Sequence, residues 1–173
     1  MKENIWENPK LIEVLKNGGV AVMPTDTIYG VVGLALNQDT VKRIYEIKKR
    51  NPEKKLITLI SDWDEVEKFG MDISKFKSNL KILEFKEPTS VILGELSFRV
   101  PNNPFLRELL SQTGPLVAPS ANREGLPPAE NISQAKEYFG DGVDLYVNGG
   151  EVKGKASRLI KLHKNGTVDI LRD

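Results

Sequence analysis

The sequence predicts an α/β protein with a mixed sheet, and three observations carry that prediction. Short apolar runs of strand length alternate along the chain with stretches of helical periodicity, the interleaving that layers helices on a sheet. Two of the runs, "VAVMP" from Val20 and "PLVAPSAN" from Pro115, stop in proline and small polar residues, and in α/β sheets ligands gather at strand ends. The tail "SRLIKLHKNGTVDILRD" sets Asn165-Gly166 between two apolar runs, a strong hairpin signal and therefore an antiparallel pair.

Element by element, Leu11, Ile12, Val14 and Leu15 fall at helical spacing over residues 8–17, and Gly18-Gly19 ends that helix. "VAVMP" follows as a short strand closed by Pro24. From Asp39 as N-cap, "TVKRIYEIKKR" predicts a helix to about Arg50, stopped by Asn51-Pro52. "KLITLIS" is read as a buried strand and "SDWDEVEKFG" as a capped helix ending at Gly70. "TSVILG" and "LSFRVP" form a strand pair, "NPFLRELLSQTG" a helix, "PLVAPSAN" a strand, "ISQAKEYFG" a helix and "VDLYVNGG" a strand.

Composition narrows the function. At 173 residues the chain has room for a sizeable core, and 1–173 is read as a single domain without a terminal appendage. The 25 basic residues against 24 acidic ones exclude a chain built to coat nucleic acid nonspecifically. Zero cysteines remove thiolate chemistry and Cys-ligated zinc, and one histidine leaves little for a Ser-His-Asp triad. The first residues lack the apolar core of a signal peptide and no stretch is long enough to span a membrane, so a cytoplasmic location is expected.

Single motifs, taken alone, have plain explanations. "GGEVKGKA" from Gly149 approximates a phosphate loop, but Ala156 stands where the magnesium-binding hydroxyl belongs and a hairpin follows instead of a helix. Lys48 and Arg50 suit a helix C-terminus through its dipole, and Ser120 with Asn122 suits a turn.

In combination the pattern is more specific. "PTDTIYG", then "IKKR" some twenty residues on, then "PLVAPSANREGLPP" and "NGGEVKGKASRLIKL", resembles the YrdC-like family, the L-threonylcarbamoyladenylate synthases of tRNA modification. The resemblance runs from about Gly18 to the C-terminus and matches the short, single-domain type. It implies a twisted, mostly open sheet lining a concave basic cleft, and a reaction in which L-threonine, bicarbonate and ATP give threonylcarbamoyl-AMP and pyrophosphate. It places Lys48, Arg50, Ser120 and Asn122 as a catalytic tetrad that also meets ATP. Thr27 falls where threonine is gripped, with Thr25 and Arg99 on the substrate side and Ser90 and Ser157 on the nucleotide side. Ser90 stands for a threonine of the family pattern, Lys86-Glu87 for Pro-Gly, Arg158 where threonine is common, and Leu59 where some members carry a threonine-contacting histidine.

The chemistry agrees with that assignment. ATP and a carbamate are both anions, and bringing them together requires cations such as Lys48 and Arg50 at the meeting point. Nucleotidyl transfer rests on positioning and charge stabilisation, so no histidine or cysteine nucleophile is needed. Thr25 and Thr27, two apart on a strand, would point their hydroxyls to one pocket while Ile28 and Tyr29 anchor the segment. Magnesium is expected to arrive with ATP, held by phosphates and water, with no protein metal ligands assigned. The expected partners are proteins that transfer the threonylcarbamoyl group to tRNA, with tRNA or double-stranded RNA itself a further candidate and no membrane. The competing readings are an RNA-binding or ribosome-assembly module of the same fold, and a carbamoyl transferase domain of hydrogenase maturation, disfavoured by the absence of zinc-finger cysteines.

Overall fold

The run from Val20 to Met23 is apolar on consecutive residues because its strand is covered on both faces. Ala21 and Met23 pack on one side with Leu11 and Leu15 of α1 (Pro9–Lys16) and Leu106, Leu109 and Leu110 of α4 (Pro104–Thr113). Val20 and Val22 pack on the other with Ile44 of α2 (Gln38–Lys48) and Ala135 and Phe139 of α5 (Ile132–Phe139). A third cluster joins Val91, Phe98, Ile160 and Leu162 to Val66, Ile73, Phe76 and Leu80, below a 3₁₀ segment at Trp63–Phe69 and α3 (Lys77–Ile82). The structure, a computed structural model, describes residues 4–82 and 86–173, so Phe85 of the "FKEPTSVIL" segment and residues 1–3 lie outside it.

The strands are β1 (Ala21–Pro24), β2 (Tyr29–Leu34), β3 (Ile57–Leu59), β4 (Thr89–Leu93), β5 (Leu96–Arg99), β6 (Leu116–Val117), β7 (Leu145–Tyr146), β8 (Arg158–Leu162) and β9 (Val168–Arg172). They form one twisted open sheet in the order β7-β1-β2-β6-β3-β5-β4-β8-β9. Pairs β1/β7, β3/β5 and β4/β8 are parallel and the others antiparallel, the mixed sheet that the interleaved pattern predicts. β8 and β9 are the two arms of the expected hairpin, with Gly166 at φ 88° in its turn. Among the described residues no helix is long and apolar enough to cross a membrane.

Several elements differ from the sequence reading. Pro24 does end β1, but "YGVVGL" turns straight back as β2, pairing Pro24 with Tyr29. The cap of α2 is Asn37, whose side chain accepts from Thr40 N, and Asp39 lies in the first turn, where its charge suits the helix dipole. Residues 63–69 wind as 3₁₀, with Glu65 turned back onto Ser61 N and Oγ. "PLVAPSAN" is a strand only at Leu116–Val117, because Pro115 and Pro119 flank it and cannot donate to a ladder. Beyond it the chain stays beside β2 through Pro119 O, which accepts from Val31 N.

Candidate active site

The β1–β2 turn, the end of β5, the 118–120 segment, the residues after α2 and the start of β8 surround a cavity of about 290 Å³. Thr27, Arg50, Arg99, Ser120, Ser157 and Arg172 all line it. Among the described residues that line it, Glu95 is the one carboxylate, against the cations Arg50, Lys55, Arg99 and Arg172.

The four residues of the expected tetrad come together, but in two layers. Arg50 and Ser120 line the cavity. Lys48 and Asn122 stand behind. Lys48, only 1% exposed, donates from Nζ to the backbone oxygens of Ser120 and Asn122, the latter at 2.6 Å, and lies 3.4 Å from Asn122 Oδ1. Burial pulls its pKa from 10.5 down to about 7, aided by the nearby charge of Arg50 and opposed by Glu124. Asn122 accepts from Ser120 Oγ at 2.5 Å and donates from Nδ2 to the oxygens of Arg123 and Leu126. The side chain of Lys48 therefore holds the turn that presents Ser120, rather than reaching into the cavity.

The helix geometry explains the division. α2 ends at Lys48, Lys49 turns left-handed at φ 50°, and the chain then swings Arg50 out to the cavity. The Arg50 guanidinium is steadied by the Lys54 and Lys55 oxygens at 3.2 and 3.1 Å. Lys49 is exposed.

On the opposite wall, Thr25 and Thr27 lie in a turn and not on a strand, so pleat alternation does not aim them. Their hydroxyls meet at 3.1 Å, and Thr25 donates to Ile28 O at 2.7 Å. Thr25 is thereby spent on the turn, and Thr27 alone of the two lines the cavity. Tyr29 anchors the segment as expected, buried, with its hydroxyl accepting from Gly149 N and donating to Gly150 O. Ser90 lies behind Ser157, and their hydroxyls are 2.7 Å apart in the interior.

Arg99, 3% exposed, donates from Nη2 to Asp26 Oδ1 at 2.8 Å and approaches Thr27 Oγ1 at 3.4 Å. Burial works against its charge and Asp26 offsets that, while Arg172 adds repulsion. Sequence reasoning missed Arg172, whose Nε and Nη2 hold Ser157 O at 2.9 and 2.7 Å. Its signal was present: as the last basic residue of β9, it belongs to a hairpin whose other arm begins beside Ser157. Asp26 was likewise passed over inside the quoted motif. The false phosphate loop has a structural use, since any side chain at Gly154 would collide with Thr27 O.

A cavity at the strand ends of an open α/β sheet, walled by guanidinium and hydroxyl groups, has the donors that suit an anionic ligand. The particular family follows from comparison. Residues 13–173 match the Sua5/YciO/YrdC family, described as telomere recombination, and the chain belongs to that family. The threonylcarbamoyl-AMP synthase of Coxiella burnetii is 31% identical over 155 residues, covering 80% of this chain and 82% of its own. The crystal structure of P. abyssi Sua5 complexed with L-threonine superposes with TM-score 0.81 at 25% identity over 94% of this chain, which spans 52% of that protein. E. coli YciO shares the fold at TM-score 0.74 and 23% identity, covering 95% of this chain and 87% of its own.

Proposed function

We propose that the protein is an L-threonylcarbamoyladenylate synthase, a nucleotidyltransferase acting on threonine, bicarbonate and magnesium-ATP in the cytoplasm, with 1–173 as one domain. The observation that carries this reading is the convergence of Thr27, Arg50, Ser120 and Ser157, from four separate motifs, on one cavity. The similarity to the Coxiella synthase and to the threonine-bound Sua5 supports the choice of reaction.

In the proposed reaction the neutral amine of threonine combines with bicarbonate to give a carbamate and water. A carbamate oxygen then attacks the α-phosphorus of ATP, the bond to the bridging oxygen breaks, and pyrophosphate leaves. Arg50 supplies the fixed cation where carbamate and α-phosphate meet, and Ser120 and Ser157 offer hydroxyls to phosphate oxygens without adding charge. Lys48 and Asn122 keep the Ser120 turn in place, so pre-organisation is their contribution. In this reading magnesium arrives on the ATP phosphates, with water completing its shell. The labile product suits direct transfer to proteins that modify tRNA.

The test is pyrophosphate release from ATP with threonine and bicarbonate omitted in turn. Release is expected only with both present; inorganic phosphate as the main product, indifferent to threonine, overturns the reading.

A further inference from the structure

The wall between the cavity and its neighbour holds a buried ion pair that is incomplete. Asp26 and Arg99 have side chains 6% and 4% exposed, joined through Oδ1 and Nη2. Among the described residues, buried Asp26 Oδ2 and Arg99 Nε find no hydrogen-bond partner, and neither does Ser97 Oγ, two residues before Arg99 on β5. A buried pair contributes to stability only when its remaining donors and acceptors are met. Leaving polar atoms of a buried pair unmet is costly for a purely structural role, and a hydrogen-bonding ligand would offset that cost.

Topology gives the pair a second meaning. Asp26 sits in the β1–β2 turn and Arg99 at the end of β5, and β6 and β3 lie between them in the sheet. The pair therefore bridges the strand ends over which the cavity opens. Arg99 lines that cavity, while Asp26 lines an adjoining recess of about 570 Å³, and the two hollows share Thr27, Ala156 and Ser157.

Hydrogen-bond order follows from the same anchor. Thr25 gives its proton to Ile28 O, so the 3.1 Å contact is donated by Thr27. Arg99 donates to Thr27 from the other side at 3.4 Å. What remains on Thr27 Oγ1 is an acceptor lone pair, suited to an N–H or O–H of an amino acid, beside a guanidinium suited to its carboxylate.

We propose that Asp26 is a positioning residue that fixes the Arg99 guanidinium for the α-carboxylate of the amino-acid substrate. This rests on the threonine reading above. Asp26 acts through Arg99 and contacts none of the reacting atoms.

The experiment is calorimetric titration of threonine, of threoninol, which lacks the carboxylate, and of ATP into the full chain. Asp26→Asn is expected to weaken threonine at least about tenfold and ATP less than about twofold, because one charged partner is lost at one subsite. Arg99→Lys, which keeps charge but loses the planar fork, should reproduce the threonine-selective loss. Adding Asp26→Asn to Arg99→Lys should cost no more than about a further twofold. Threoninol affinity should not change with Asp26→Asn, and Asp26→Glu should recover most threonine binding. Unchanged threonine affinity in Asp26→Asn overturns the proposal. So does equal loss of threonine and ATP with a lowered melting temperature, which would make the pair structural. If the wild-type chain binds ATP but no threonine, the parent reading fails and this inference falls with it.

Discussion

Two walls of one cavity treat their polar atoms in opposite ways. Behind the Ser120 wall, Lys48 and Asn122 spend their side chains on backbone oxygens and on each other. At the Asp26–Arg99 wall, three buried polar atoms have no partner among the described residues. The difference is one of self-sufficiency: a region that satisfies its own polar atoms keeps its shape unaided, and a region that does not has hydrogen-bonding capacity left to offer.

The largest expected effect comes from breaking the satisfied wall. Lys48→Met leaves the Ser120 and Asn122 oxygens unpaired, and should cost about 1–3 kcal/mol of stability. Turnover should fall by at least about tenfold alongside, because the turn presenting Ser120 loosens. Thermal melting and pyrophosphate release on one sample check this. An activity loss with the melting temperature unmoved would return Lys48 to the cavity. The pH dependence carries a sign. Lys48 has a folded pKa of about 7 against 10.5, so between those values the unfolded chain binds the extra proton and stability rises with pH. The slope is at most about 1.4 kcal/mol per pH unit, and it should vanish from the Lys48→Met melting series.

The next effect probes the incomplete wall. Thr27→Val keeps the shape and loses the acceptor, and should weaken threonine by about 1–3 kcal/mol. ATP affinity should change much less, and separate titrations show whether it does. Equal losses would make the turn a fold element only.

Arg50 belongs to neither class, being steadied by two backbone oxygens yet open to the cavity. Arg50→Ala should lower turnover at least about tenfold, roughly 1.4 kcal/mol of barrier, with little change in melting temperature. Arg50→Lys should be impaired too, for want of the planar fork. Steady-state kinetics beside a melting curve distinguish this from the Lys48 outcome.

Legibility followed the same division. The periodicity of β1, α2, α4 and the β8–β9 hairpin was readable because apolar spacing reports burial directly. β2 was missed as a separate strand because "YGVVGL" resumes after only four residues, and a turn that short is set by Thr25 hydrogen bonds instead of glycine or proline. Motif spacing brought Lys48, Arg50, Ser120 and Asn122 to one place. Which of the first two faces the cavity depended on the direction taken by the chain after Lys48, a single left-handed residue that spacing does not encode.

The smallest effect turns on that residue. Lys49 is the non-glycine residue with positive φ among those described, it caps α2, and its side chain is exposed. A left-handed conformation costs an ordinary residue about 1–2 kcal/mol, which glycine escapes. Glycine in turn gives up about 0.5–1 kcal/mol through its freer unfolded chain. Lys49→Gly should therefore gain about 0.5–1 kcal/mol, the difference between those two terms. For a chain of this size that raises the melting temperature by about 2 °C. Lys49→Ala keeps the strain and should leave stability nearly unchanged. Both should keep full turnover, since the three consecutive cations are placed differently, Lys48 holding the turn, Lys49 bending the chain and Arg50 lining the cavity. If Lys49→Gly melts lower, the bend is not where α2 ends. If Lys49→Ala loses as much turnover as Arg50→Ala, helix-end charge, rather than the direction of the chain, sets the reactivity of the site.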